Sequence, residues 1–464
     1  MPAETVASKW PNGGTNDPQE NRRHRLLHGP VPKVLMSLAM PTIGVLLAQT
    51  VVGIAETYYV SQLGTDALVG VSVVFPAWML MTMISAGGIG NGVASAVARA
   101  LGSGSRAEAD SLVFHAVVIA AILGGIFYVG VRSLGGVLFS ALGAQEQALG
   151  QAEAYAFWLF LSAVPIWTVN LCSAALRGAG NVRVPALVSL AGVVVLVGLS
   201  PLLIFGLGSF VGFGIAGAGI AVTIFYSAAA LLLLRYLYQG RGGRTLRLHR
   251  WSSQRAWDIL SVGLMASISA AQLNLAVMVV TAFAGNLGRA SLAGYGIGSR
   301  LDYLFIPILF GLGSAVLTLV GTCIGAGNLA RARAVARFGM IFGAGFTGLV
   351  GLLVVISPAL WLRIFTSDQR ILAEGATYLR IVGPFFATTG ATFILGFVSQ
   401  AAKRPGWTTF AGTVRLLVAG LGGWLAVSVL ELPFSGLAAV VVLGQLAAAG
   451  ISIFAFARGS FWKL

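Results

Sequence analysis

Charge is what this sequence has least of: only 9% of its 464 residues are Asp, Glu, Lys or Arg, while 57% are hydrophobic. A soluble domain is roughly a quarter charged, and so few charges could not cover a water-facing surface of this size. The bilayer is therefore the expected solvent for most of the chain. Cysteine is nearly absent: Cys172 and Cys323 lie far apart inside apolar runs, with no metal-ligand spacing, which speaks against a disulfide framework or a structural metal. The four histidines, His24, His28, His115 and His249, are scattered. No Ser/His/Asp set, HExxH, phosphate loop or Cys/His cluster appears, so an enzyme is not expected and no cofactor is implied.

Apolar runs long enough to cross roughly 30 Å of hydrocarbon number twelve, over 33–60, 66–98, 111–140, 152–176, 184–207, 211–237, 257–286, 290–324, 333–360, 374–401, 406–430 and 433–457. Proline stands at the front of several, as at Pro32, Pro185, Pro405 and Pro433, where a first helical turn tolerates it. The expected fold is an all-α integral membrane protein of twelve transmembrane helices. Residues 1–32 are polar and read as a disordered tail, and 239–256 as a basic linker able to rest on anionic headgroups. Six spans would fill 33–238 and six more 257–464.

The formal charge of +15 would suggest nucleic acid in a soluble protein, but its placement says otherwise. Most Lys and Arg fall in the two ends and in the even-numbered connections: Arg22, Arg23 and Arg25; Arg99 and Arg106; Arg177 and Arg183; Arg235 to Arg255; Arg331, Arg333 and Arg337; Lys403 and Arg404; Arg458 and Lys463. By the positive-inside rule both termini are expected in the cytoplasm of a cell-membrane protein.

The sequence also repeats itself at a shift of about 223 residues. GIGNGV at 88–93 answers GLGSAV at 311–316; Gly102, Gly104 and Ala107 fall on Gly325, Gly327 and Ala330; Gln49 falls on Gln272. The turn LGTDAL at 63–68 matches LGRASL at 287–292, and AEAY at 152–155 resembles AEGATY at 373–378. Six is an even number, so both repeats enter the membrane in one direction. The two bundles are then parallel repeats, related by a pseudo-two-fold axis along the membrane normal. That arrangement suits a transporter whose halves rock about a central site, in a single chain that needs no second copy.

The chain resembles the multidrug and toxic compound extrusion (MATE) family from about residue 33 to 457. The likeness is carried by AETYYVSQLGTDAL (55–68), GIGNGVASAVARALGSGSRAEA (88–109), ALRGAGNVRVP (175–185), GIGSRLDYLF (296–305) and IGAGNLARARA (324–334). The resemblance implies secondary antiport, with drug-like organic cations leaving as H+ or Na+ enters. The residues themselves leave another exporter or flippase, for an endogenous metabolite or lipid-linked compound, as the alternative; the scarcity of Arg outside the loops speaks against an anionic lipid-linked cargo.

Two acids fall well inside apolar runs, Glu56 in the first span and Asp302 in the eighth, where a charge is costly. Glu56 is the candidate ion-coupling carboxyl. Gln49 lies two turns earlier and Tyr59 one turn later on nearly the same face, placed to hydrogen-bond it. In the resembling family an Asp usually stands where Glu56 does. That family often reads LDPLLIFG in the fifth helix, where this chain reads LSPLLIFG with Ser200 in place of the acid. A family Thr in the sixth helix falls on Val222, with Thr223 beside it, and Asn170 either matches a family Asn or bonds a neighbouring helix. A lone carboxylate suits a proton better than a metal ion, which needs several oxygens, so H+ is favoured over Na+. Asp302 and Arg300 read as a neutralising pair, structural or functional. Phe75, Trp78 and Met79 in the second span, with Gln272, Asn274, Tyr295, Arg300 and Asp302, are the candidate cleft residues for cationic aromatics.

Overall fold

The computed structural model describes residues 18–240 and 249–462. Twelve spans run through them: Val31–Ser61, Thr65–Gly102, Arg106–Ala141, the pair Glu146–Leu161 and Ala163–Gly178 joined at a 44° bend, Arg183–Phe205, Ile215–Tyr238, Ser253–Asn286, Arg289–Gly325, Leu329–Ile356, Gln369–Ala401, Gly406–Val429 and Phe434–Ala457. They are named below by order, first to twelfth. Each starts and stops within a few residues of where hydropathy places it, because length and apolarity alone decide a span in lipid.

The polar stretch expected to be disordered through residue 32 is helical at Pro18–His28. Residues 1–17 lie outside the described residues. The helix is held by its neighbours. Arg331 donates to the carbonyls of Leu26 (3.2 Å) and Gly29, Arg23 donates to the Gly102 carbonyl at 2.8 Å, and Leu26 is buried. A cation at a helix C-terminus satisfies carbonyls that lack an intrahelical partner. Of the basic linker, 241–248 lies outside the described residues. Its far end docks on protein: Trp251 stacks on His115 at 4.9 Å, the Ser252 N–H donates to His115 Nε2 at 2.9 Å, and Arg255 grips Glu108 in a bidentate pair at 2.9–3.1 Å.

The repeat is visible in reciprocal contacts. A Cβ placed on Gly102 would sit 2.1 Å from the Thr322 carbonyl oxygen, and one on Gly325 would sit 2.0 Å from the Arg99 carbonyl oxygen. Residue 99 shifts onto 322 and 102 onto 325, so each repeat presents the same glycine to the other's equivalent carbonyl. Within the lobes the match recurs: Gly70 meets the Ala152 amide, and Gly294 meets the Gly375 amide. Both pairs require the absence of a side chain, the usual reason for glycine where membrane helices touch. A third correspondence is positional: Pro307 lies inside the eighth span's helix, and its equivalent in the second span, Ile84, falls in a π-helical turn, Met83–Ile89.

The lobes meet along one seam made by the second and eighth spans with the first and seventh. Gly88 and Gly92 approach Ser267 and Ile259, and Gly311 approaches Ala39 and Ile43. These contacts lie in the halves of the spans nearer the termini. An ion cluster reinforces that end. Asp258 accepts from Arg99 at 2.9 Å and pairs with Lys403; Ser95 donates to the Gln400 carbonyl at 2.7 Å; the Asn91 amide donates to Gln400 Oε1 at 3.0 Å. Counted from the end that carries the termini, the contact of Asn274 with the Met83 sulfur is the outermost hydrogen bond between the lobes among the described residues. The glycine contacts and hydrogen bonds between the lobes thus gather in the halves nearer the termini.

Removing the cluster's shared anion should loosen the closed end. Asp258→Asn leaves Arg99 and Lys403 facing each other unpaired, at a cost of about 1–2 kcal/mol, between the surface and buried limits for charged pairs. Cys323 is buried in that seam. In a Cys172→Ala background, maleimide should label it several-fold faster in the variant; an unchanged rate contradicts the latch.

Candidate functional site

Each lobe contains one acid inside the bundle with an oxygen that receives no hydrogen bond. In the N-terminal lobe it is Glu56, whose Oε1 is closed off from solvent and unpartnered. The tyrosines Tyr155 of the fourth span and Tyr226 of the sixth lie within its electrostatic reach. Trp78 packs edge-on to Tyr226 at 6.3 Å. In the C-terminal lobe it is Asp302, with Oδ1 closed off and unpartnered. Around it stand Tyr295, Tyr378 and Arg415, lining a small cavity with Ala276, Val280 and Gly444.

The expected coupling set does not assemble by hydrogen bonds. Gln49 is exposed. Tyr59 turns away from Glu56 and donates to the Val197 carbonyl of the fifth span at 3.2 Å. Thr223 donates to the Trp158 carbonyl at 2.5 Å, and the Asn170 amide donates to Ser85 in the π-turn at 2.8 Å. Both are thus occupied in joining helices. Ser200 is buried with its hydroxyl unpartnered. Of the six residues, Glu56 and Ser200 alone keep a buried polar oxygen without a hydrogen-bond partner.

The cleft residues also divide. Phe75 and Met79 are exposed on the outer half of the second span. Trp78 instead packs inside its lobe, and Tyr295 is buried edge-on to Tyr378 at 5.3 Å. Gln272 donates to Thr413 at 2.9 Å within the C-terminal lobe. Asn274 bonds the Ala270 carbonyl at 2.9 Å and reaches the Met83 sulfur at 3.8 Å across the seam.

Arg300 and Asp302 are not a pair. Two residues apart on a helix point to different sides. Arg300 is exposed with its guanidinium 5.3 Å from the centre of the Phe365 ring, while Asp302 faces Arg415. Arg300→Gln should therefore cost no more than a cation–π contact, about 0.5–1 kcal/mol. The thermal unfolding midpoint and transport rate should stay near wild type; a large loss in either would put Arg300 back at the site.

The sequence reading missed the tyrosines. Tyr155 and Tyr378 are equivalent by the repeat, and each lies within electrostatic reach of its lobe's half-buried acid. The signal was the AEAY and AEGATY match, which carried the register without marking the hydroxyl as important.

Two parallel six-span lobes, each holding an acid in its interior, are the architecture of a membrane transporter built from repeats. The MatE family model matches residues 41–202 and 266–425, and the chain belongs to this family of MATE transporters. It is 28% identical over 425 residues to a protein of Shewanella oneidensis named "FAD transporter", covering 87% of this chain and 90% of that one. It is 29% identical to the "Probable multidrug resistance protein NorM" of Thermotoga maritima, covering 76% of each. Among solved structures, MATE in the bent conformation superposes with a TM-score of 0.86 at 24% identity, covering 95% of this chain and 97% of that one. A MOP-superfamily transporter from Pyrococcus furiosus superposes at 0.84, with 23% identity, covering 95% and 98%.

Proposed function

We propose that this transporter exports amphipathic organic cations in exchange for protons entering through the N-terminal lobe, with Glu56 as the group that carries the proton. The supporting observation is the Glu56 carboxyl itself: inside the lobe, beside Tyr155 and Tyr226, with one oxygen that no donor satisfies. A buried carboxylate without a compensating cation is expensive, and a proton removes the cost. Na+ would need several oxygen ligands, and of the groups expected around Glu56, Gln49 is exposed and Tyr59 is bonded to the fifth span. The basic loops and termini support a cytoplasmic side for the end where the lobes meet, in a cell-membrane protein acting as one chain. Phe75 and Met79 in the cleft wall suit cationic aromatics.

The test is ethidium transport in proteoliposomes under an imposed pH gradient and, separately, a Na+ gradient. Wild type should respond to the pH gradient alone. Equal response to both, or to Na+ only, overturns the proton assignment. A second reading, export of an endogenous metabolite, is favoured by the similarity to the protein named "FAD transporter". Flavin adenine dinucleotide counterflow in the same vesicles separates the two: saturable exchange of the dinucleotide, with none of ethidium, would replace the first reading.

A further inference from the structure

At the end where the lobes meet there is a second cavity, which the exchange described above does not use. It leaves ≈ 90 Å³ of open space. A single water needs roughly 10–15 Å³, so the cavity takes a phosphate group with water to spare. Its walls include the helix Pro18–His28, the turn into the third span at Gly104 and Arg106, and Thr322 of the eighth span. Thr322 belongs to the meeting surface itself, where its carbonyl lies against Gly102. The cavity is therefore complete only while the lobes are together and the helix is docked.

The lining is cationic. Arg22 and Arg23 of the helix and Arg106 of the third span border the space, with Glu20 as the acid among them. Arg23 places one N–H on the Gly102 carbonyl, and a guanidinium carries several more. Glu20 and Arg106 stand 3.8 Å apart with both side chains about half exposed, a pairing worth little in water. The repeat shows that the turn does not itself demand these cations. Gly104 answers Gly327, with φ of 84° and 73°, but Arg106 answers Leu329. It also shows an unmet need. Asn328 caps the ninth span by accepting from the Arg331 amide at 3.0 Å, whereas its counterpart Ser105 makes no capping bond to the third span. First-turn N–H groups without that cap thus lie beside three guanidiniums, and both kinds of donor favour an anion.

We propose that this cavity binds a phosphate group, free or carried by a lipid headgroup, and that the bound anion braces the lobes together at the end that carries the termini. Planar guanidinium forks bind phosphate oxygens in pairs, and a tetrahedral anion has oxygens enough to meet Arg22, Arg23 and Arg106 together. It relieves the repulsion among them and gives the third span's first turn an acceptor. Arg331 of the C-terminal lobe already holds the helix Pro18–His28 by the Leu26 carbonyl; the anion ties the same helix to Arg106 of the N-terminal lobe. Parting the lobes divides the cavity. Phosphate therefore binds one conformation and shifts the population toward it. The site is independent of which ion drives the exchange and of what is carried.

Maleimide labelling of Cys323 in the Cys172→Ala background tests this on full-length protein in nanodiscs, with no transported substrate present. In phosphatidylcholine discs, inorganic phosphate at about ten times its dissociation constant should slow labelling roughly tenfold, relative to chloride at equal pH and ionic strength. If the phosphate comes from lipid, discs containing phosphatidylglycerol should slow labelling and free phosphate should not. In either arm Arg22→Gln/Arg106→Gln should abolish the slowing. Arg22→Lys/Arg106→Lys should keep most of it, which shows that the glutamine variant's loss is not misfolding. Arg235→Gln/Arg337→Gln removes the same charge from exposed positions outside the cavity and should leave the slowing intact. The proposal is overturned if neither source of phosphate slows labelling, or if Arg22→Gln/Arg106→Gln is slowed as much as wild type. It is overturned equally if Arg235→Gln/Arg337→Gln loses the slowing too, since the effect is then one of net charge alone.

Discussion

Gly325→Val should prevent the lobes from closing at the end that carries the termini. The new Cβ would lie 2.0 Å from the Arg99 carbonyl oxygen and 2.8 Å from its carbon. These are backbone atoms of a helix, which cannot move aside as a side-chain tip can. Arg99 is also held by Asp258 and by the Ala401 carbonyl, so relief requires separating the second and eighth spans. Overpacking of this kind costs about 1–3 kcal/mol and sometimes more. That is about a 5–150-fold shift between conformations. The resting protein should expose Cys323 to maleimide in the Cys172→Ala background, and ethidium transport should fall in step. Gly102→Val should do the same, since its Cβ meets the Thr322 carbonyl oxygen at 2.1 Å. Gly125, which has nothing within 4 Å of an added Cβ, is the control: Gly125→Val should leave both readouts unchanged. If Gly325→Val and Gly125→Val behave alike, the seam is not the closing surface.

Glu56→Gln should abolish transport driven by the pH gradient, by roughly two orders of magnitude. Glutamine keeps the length and the hydrogen-bonding shape of a protonated carboxyl but cannot release a proton. The variant should therefore still bind ethidium, since the neutral state is the one it mimics, and fail to be driven. Glu56→Asp restores a titrating group one methylene shorter, in a lobe that already holds Tyr155 and Tyr226 around it, and should recover part of the rate. Ethidium fluorescence polarisation separates binding from transport. Wild-type transport by Glu56→Gln would remove Glu56 from the mechanism.

The spans were readable because hydrocarbon thickness dictates a minimum apolar length and nothing else needs to be known. The repeat was readable because glycines at fixed offsets record close helix contacts, and Gly102 and Gly325 make those contacts. Glu56 stood out as an acid within an apolar run. Its surroundings did not, because a tyrosine in a membrane helix is equally at home in an interface belt. Asp302 was assigned the wrong partner for a geometric reason. Arg300 is near in sequence but about 200° around the helix, whereas Arg415 comes from a span three further on and is brought close only by folding. Helix Pro18–His28 was read as disordered from composition. What orders it is the pair of arginines, Arg23 and Arg331, reaching carbonyls at opposite ends of short gaps, which hydropathy does not record.

The exchange of Gly102 with Thr322 and Gly325 with Arg99 has a consequence for ancestry. A surface that meets its own copy by a two-fold rotation is isologous, the geometry of a symmetric homodimer. A six-helix half carrying this glycine and this carbonyl is self-complementary, so an unfused half would already possess the interface needed to pair with itself. Each half keeps this glycine and this carbonyl although other positions of the repeat differ. The acids of the two lobes now sit on different helices, while the glycine that each half sets against the other's carbonyl is still the same residue.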